Sequence, residues 1–206
     1  MNEPKLSNLF TIPMVQLKIE ADTDELKNCT DIINPITSHD QDPEGSGNNE
    51  YRVLEKYPKI KKLFLEIFEE YANVSLGYQN KFEITSSWIT KTTKSVSSAF
   101  HNHKNCAFSG VYYFDEYDKD SATIGFLNPL SDLSSYMLNT KELNPVNANY
   151  VAIEPSEKCL IFFPSYLKHR INAHKSDKPR YSLAFNIVPV GDYGGGDSIH
   201  KASWIT

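Results

Sequence analysis

Cysteine is scarce in this chain. Cys29, Cys106 and Cys159 are the full complement, odd in number and widely scattered, so neither a disulfide framework nor a paired CxxC zinc site is supported, and reduced thiols are the expectation. Positive charge is not concentrated anywhere either: the formal net charge is −5 and no Lys/Arg-rich run forms a basic stripe, which argues against a nucleic-acid partner. No apolar stretch reaches the length of a bilayer span, and the opening MNEPKLSNLF lacks the basic-then-apolar pattern of a secretory signal. A cytoplasmic protein without membrane attachment is expected. No internal repeat is visible.

What the chain does have is apolar material. With 40% hydrophobic and 12% aromatic residues over 206 positions it can bury a real core, and one domain spanning 1–206 is expected, with a homodimer left open. ADTDELKNCTDII carries a capping-box pattern, Asp22 with Glu25, and Leu26, Cys29, Ile32 and Ile33 on one face, which predicts a helix over about 22–34 that ends at Pro35. The acidic, Gly/Ser/Asn-rich stretch 38–50 reads as an exposed loop. From Pro58 onward, Ile60, Leu63, Phe64, Ile67, Phe68 and Tyr71 follow amphipathic helical spacing up to about Gly77.

Beyond that point the texture changes to short β-branched and aromatic runs: FEITSSWITKT, AFSGVYYFD, SATIGFLN, YVAIEP, KCLIFFPS, HRINAH and YSLAFNIVPV. Two helices followed by about seven or eight strands predict a mainly β protein, a double-sheet jelly roll with helices outside it. The expected layout is flanking N-terminal strand and helices over about 1–80, a core over about 82–190, and a glycine-rich, strand-free tail over about 191–206.

The sharpest feature is FHNHKNCAFSGVYYF. If His101 and His103 lie on a strand, their period of two puts both imidazoles on one face, where a metal ion is the simplest reason to bring them together; two surface histidines beside a loop are the alternative. Further on, the apolar run KCLIFFPS leads through YLK to His169, and eleven residues later comes Arg180 in PRYSLAFN. That alternation sets Tyr181, Leu183 and Phe185 on one face and Arg180, Ser182, Ala184 and Asn186 on the other. A guanidinium in a strand that reads as buried needs an anion: either an acid of this chain or the carboxylate of a ligand held by Arg180 and Ser182. His174, His39 and His200 read as exposed, Trp88 as a core residue, and Cys106 as a small buried hydrophobe.

HxH followed by SGVYYF, LIFFPSYLKH and RYSLAFN resembles the iron(II)- and 2-oxoglutarate-dependent oxygenases, in the poorly characterised branch with HxH where most members have HxD or HxE. The resemblance covers roughly residues 84–190 and implies a cupin-like double-stranded β-helix. It implies that His101 and His169 are the two histidine ligands of Fe(II) and that His103 stands in the place of the carboxylate ligand. Asn105 or a water in that place, or a site that prefers zinc, stays open. The resemblance also implies that Arg180 and Ser182 bind the far carboxylate of the co-substrate 2-oxoglutarate, supported by Tyr113, or by Tyr112 if the register slips by one. One departure lies at PSEKCLIFF, where relatives commonly have a glycine in the turn. The implied function is a dioxygenase, most simply a hydroxylase, that releases succinate and CO2. A three-histidine dioxygenase without 2-oxoglutarate and a non-catalytic binding or structural jelly roll are the alternatives.

Overall fold

The computed structural model describes residues 6–7, 10–24, 51–131 and 138–203. The helix expected over 22–34 lies outside the described residues but for its first three positions, as do the 38–50 loop, Cys29 and His39. Among the described residues there are nine strands: β1 (Val15–Lys18), β2 (Lys81–Thr92), β3 (Phe108–Tyr113), β4 (Ile124–Leu127), β5 (Tyr150–Ile153), β6 (Cys159–Pro164), β7 (His169–Ile171), β8 (Arg180–Tyr193) and β9 (His200–Ala202). One helix, α1 (Pro58–Val74), precedes β2. No described helix is long and apolar enough to cross a membrane.

The larger sheet runs β1-β6-β3-β8-β2, with β9 paired to β8, and the smaller one runs β5-β4-β7. All pairings between these strands are antiparallel. This two-sheet arrangement is the expected jelly roll, a double-stranded β-helix. The helix starts at Pro58, whose missing N–H is not needed in a first turn, and the chain turns out of it at Gly77, φ +72°, where the Tyr78 N–H reaches back to the Ala72 carbonyl at 2.9 Å.

The buried stripe of α1, Ile60, Phe64, Phe68 and Ala72, lies on the outer face of the larger sheet against Phe82, Ile84, Phe108, Phe162, Leu183 and Phe185. A Cβ on Gly110 would run into the Phe185 ring, so glycine there lets the aromatic ring close over the sheet. The second apolar cluster lies on the inner face: Val111, Tyr113, Cys159, Ile161 and Phe163 meet Ile124, Phe126 and Leu167.

A register shift between Ile84 and Ser86 decides which β2 residues look inward. Ile84 pairs with Ile187 on the helix side, and after the bulge Ser86, Trp88, Thr90 and Thr92 pair with Asn186, Ala184, Ser182 and Arg180. At the C-terminus the expected strand-free tail is corrected. β8 continues to Tyr193 and pairs with β9, and the intervening glycines serve the reversal, Gly194 and Gly196 adopting φ +91° and +59°.

Candidate active site

His101 and His169 face each other in an isolated antiparallel bridge. The His101 N–H donates to the His169 carbonyl at 3.0 Å, and the His169 N–H donates back at 2.9 Å. Directly opposed residues project to one side of a ladder, and the two rings are 4.4 Å apart. His103 reaches the same point by a different route from the expected strand. It lies in an extended loop, anchored by its N–H on the Ser165 carbonyl at 3.0 Å, before the backbone reverses at Asn105, φ +59°. Its ring is 5.3 Å from that of His101 and 5.1 Å from that of His169. One ring nitrogen from each of the three lies within 4.8 Å of the others. Small side-chain rotations bring such a set onto one cation, given metal–nitrogen bonds of about 2.1 Å.

The protons are placed to leave this donor set free. Nδ1 of His101 lies 3.0 Å from the Ala99 carbonyl, and Nδ1 of His169 lies 2.9 Å from the Leu167 carbonyl. A carbonyl only accepts, so both Nδ1 atoms carry hydrogen and both Nε2 lone pairs are available. Burial, helped by the neighbouring His101, pushes His103 down to about 4 and His169 down to about 3. Both are neutral at physiological pH, as a metal ligand must be. Phe163 and Phe126 pack against the His169 ring at 4.9 and 6.0 Å.

Arg180 begins β8 and is 1% exposed. Its Nη1 donates to Ser182 Oγ at 3.2 Å, its Nη2 donates to Tyr113 Oη at 3.1 Å, and the guanidinium lies 5.1 Å from the centre of the Tyr113 ring. No carboxylate among the described residues pairs with it. Among the described residues its Nε–H has no partner, and neither has the buried hydroxyl of Thr92, which is the residue directly opposite Arg180 in the β2–β8 register. Tyr113 is wholly buried, and burial raises its phenol against the opposing pull of Arg180. It therefore keeps a proton to donate. The cradle is rich in donors and short of acceptors, which is the chemistry of an anion site.

Of the two tyrosines left open by the sequence, Tyr113 faces Arg180, whereas the Tyr112 hydroxyl donates to the Ile19 carbonyl at 3.3 Å on the opposite face. Thr92 and Trp88 also lie here, although the sequence favours a core reading for Trp88 and a hydroxyl-rich strand for the run that contains Thr92, over a lip of a substrate pocket. Trp88 belongs to neither apolar cluster; it is half-buried, 5.4 Å from the His103 ring. The bulge gives it an inward position, which the sequence pattern alone did not reveal. Asn105 is exposed and Cys106 is half-buried, its Sγ over the Lys104 carbonyl at 3.4 Å. His174 is buried, contrary to expectation. Its Nδ1 accepts from the Ala122 N–H at 3.0 Å and its Nε2 donates to the Lys178 carbonyl at 2.7 Å, so it fastens loops together away from the triad. His200 is exposed, as expected, but on β9.

Residues 86–186 match a family model described as "Putative 2OG-Fe(II) oxygenase", and a search of curated proteins finds no match. Among solved structures, HygX from Streptomyces hygroscopicus with nickel and 2-oxoglutarate bound shares 10% identity at a TM-score of 0.58, over 87% of this chain and 84% of that one. A Pseudomonas putida prolyl-4-hydroxylase shares 14% at 0.52, over 85% and 93%. An oxidoreductase of the 2OG-Fe(II) oxygenase family from Burkholderia pseudomallei shares 11% at 0.50; the match takes in 76% of this chain and 66% of that one, just under two thirds of it. At these identities the structural likeness is one of fold. The matched family model and the histidine cluster agree on the class: residues 86–186 are similar to the iron(II)- and 2-oxoglutarate-dependent oxygenases.

Proposed function

We propose that this protein is a dioxygenase that hydroxylates a C–H bond of its substrate, with His101, His103 and His169 holding Fe(II), and with Arg180, Ser182, Tyr113 and Thr92 receiving the far carboxylate of 2-oxoglutarate. The observation that carries this reading is the buried Arg180 without a carboxylate, set beside an orphaned Thr92 hydroxyl on the inner face of the sheet that also carries Trp88 at the triad. A buried, uncompensated guanidinium costs several kcal/mol, and a carboxylate ligand relieves that cost. The donor set fits the metal too: three neutral imidazoles leave positions open for a bidentate co-substrate and O2. Bound Fe(II) supplies the redox chemistry by which 2-oxoglutarate, O2 and R–H become succinate, CO2 and R–OH.

The chain's own part is binding, orientation and exclusion of water. Arg180, buried to 1% exposure, neutralises one end of the co-substrate dianion, while the Thr92 and Tyr113 hydroxyls fix where its oxygens sit. The backbone carbonyls at Ala99 and Leu167 keep Nδ1 of His101 and His169 protonated, which would leave their Nε2 lone pairs free to hold a metal. Phe126 and Phe163 shield one flank of His169 from solvent. With three neutral ligands, the negative charge at the metal comes from the co-substrate and not from the protein, which makes metal and 2-oxoglutarate binding mutually supportive. A three-histidine dioxygenase that does without 2-oxoglutarate gives Arg180 no anion and is disfavoured on that ground.

Anaerobic titration with Fe(II), followed by 2-oxoglutarate and O2, tests this reading. The wild type is expected to bind one Fe(II) per chain and release succinate, and His101→Ala and His169→Ala each to lose stoichiometric metal. Full iron occupancy in both variants would overturn the triad.

A further inference from the structure

His103 is held differently from its two neighbours. His101 and His169 each fix ring rotation and tautomer by an Nδ1–H bond to a carbonyl, whereas among the described residues the His103 ring makes no such bond. What it has is a neighbour, the Trp88 ring, with centroids 5.4 Å apart and planes inclined at 56°. Trp88 owes its inward direction to the register shift between Ile84 and Ser86. It stands opposite Ala184, whose single methyl leaves the inner face free for an indole. A neutral imidazole is drawn to a cation less strongly than a charged carboxylate is. Its rotamer then has to be set by packing.

We propose that Trp88 is a positioning residue that holds the His103 imidazole in its metal-ligating rotamer, taking the place of the hydrogen bond the other two histidines possess. The proposal rests on the triad assignment. Trp88 acts through His103 and touches neither the metal nor the co-substrate in this role, so its removal weakens the metal site only while His103 is present. An aromatic pair of this kind amounts to a three- to tenfold effect on an equilibrium.

The test is a double-mutant cycle on metal affinity, measured by Co(II) titration of the full chain without O2, with the visible Co(II) spectrum as a second readout of coordination. Trp88→Leu should weaken Co(II) binding three- to tenfold and change the spectrum in the His103 background, leave affinity unchanged in the His103→Ala background, and be largely rescued by Trp88→Phe. An equal loss in both backgrounds, or wild-type affinity and spectrum in a Trp88→Leu protein, overturns the proposal. If Trp88→Leu fails to fold, Trp88→Phe alone decides: its more remote ring should still cause a small loss that disappears with His103→Ala, and no difference from wild type, or a loss that persists, overturns it. Wild-type affinity in His103→Ala by itself marks failure of the triad assignment instead.

Discussion

The two faces of β8 solve opposite problems with alternate residues of one strand. Toward α1, Leu183, Phe185 and Ile187 are fully buried among aromatic rings, with Phe64 stacked on Phe185 at 5.2 Å and Phe68 against Phe162 at 5.2 Å. That face is complete in itself. Toward the smaller sheet, Arg180 and Ser182 are buried just as deeply, yet Arg180 and its cross-strand partner Thr92 keep donors without partners among the described residues. The period of two therefore divides the strand into an apolar face that holds the fold together and a polar face that keeps unpartnered donors among the described residues. The apolar face carries the stability that the inner one gives up.

Substitutions on the two faces should break the protein in different ways. Phe68→Ala removes a ring that meets Phe82, Phe108 and Phe162 at about one contact distance each, and should cost about 3–5 kcal/mol of unfolding free energy. Urea denaturation measures this, and 2-oxoglutarate affinity of the remaining folded protein should be unchanged. Arg180→Met should do the reverse. It should lose about 2–5 kcal/mol of 2-oxoglutarate binding, read by titration calorimetry, while the ligand-free protein melts no lower than the wild type, because a buried charge without a counter-ion has been replaced by an apolar side chain of similar length. A large drop in the ligand-free melting temperature would mean that the inner face is structural as well.

Much of this division was legible in the sequence, and what was not has a common cause. RYSLAFN gave both faces of β8, and the Ile60, Phe64, Phe68 spacing gave the buried stripe of α1, because each is a local period. That His101, His103 and His169 come together followed from motif resemblance. Thr92 and Trp88 were lost because their direction depends on a one-residue bulge and on pairing with a strand about ninety positions away. The choice between Tyr112 and Tyr113 was the same one-residue ambiguity. His174 reads as a loop histidine until the carbonyl of Lys178 and the N–H of Ala122 close over it. β9 is three residues long and carries no pattern of its own; it forms because a glycine turn returns it to β8.

The inner face should also make the metal-free protein sensitive to pH in a way the helix-facing side does not. An unfolded histidine titrates near 6.5, whereas His103 and His169 are lowered to about 4 and about 3 in the fold. Below pH 6.5 the unfolded state therefore binds more protons than the folded one, and unfolding free energy falls with falling pH. The contribution is fully present above 6.5 and is lost as pH drops through the folded values. Between pH 7 and pH 5 each histidine should account for up to about 2 kcal/mol. Urea titrations at the two pH values should show this loss reduced by about half in His103→Gln. An unaltered pH slope would mean that His103 is not desolvated.

The smallest effect is expected at the turn that leads into β6, which belongs to neither face. Lys158 takes φ +65° there, the left-handed region that favours glycine. The turn is kept because its backbone is used twice: the Lys158 N–H donates to the Tyr113 carbonyl at 2.7 Å and the Lys158 carbonyl accepts from the Ile19 N–H at 2.9 Å. A side chain in this conformation costs about 1–2 kcal/mol, partly offset by an ion pair of Nζ with Glu20 at 2.8 Å, which is solvent-exposed and weakened by screening. Lys158→Gly relieves the strain, loses the ion pair and gives the unfolded chain more freedom, by about 0.4–1 kcal/mol. The net change should be a small gain. Lys158→Ala, which keeps the strain and still loses the ion pair, should be slightly less stable than wild type. Paired urea titrations of the two variants read the sign of the difference. Both should bind 2-oxoglutarate as the wild type does, because Tyr113 is held at this turn through its backbone carbonyl while its hydroxyl stays with Arg180. If Lys158→Gly weakened that binding, the turn would have to be counted as part of the cradle.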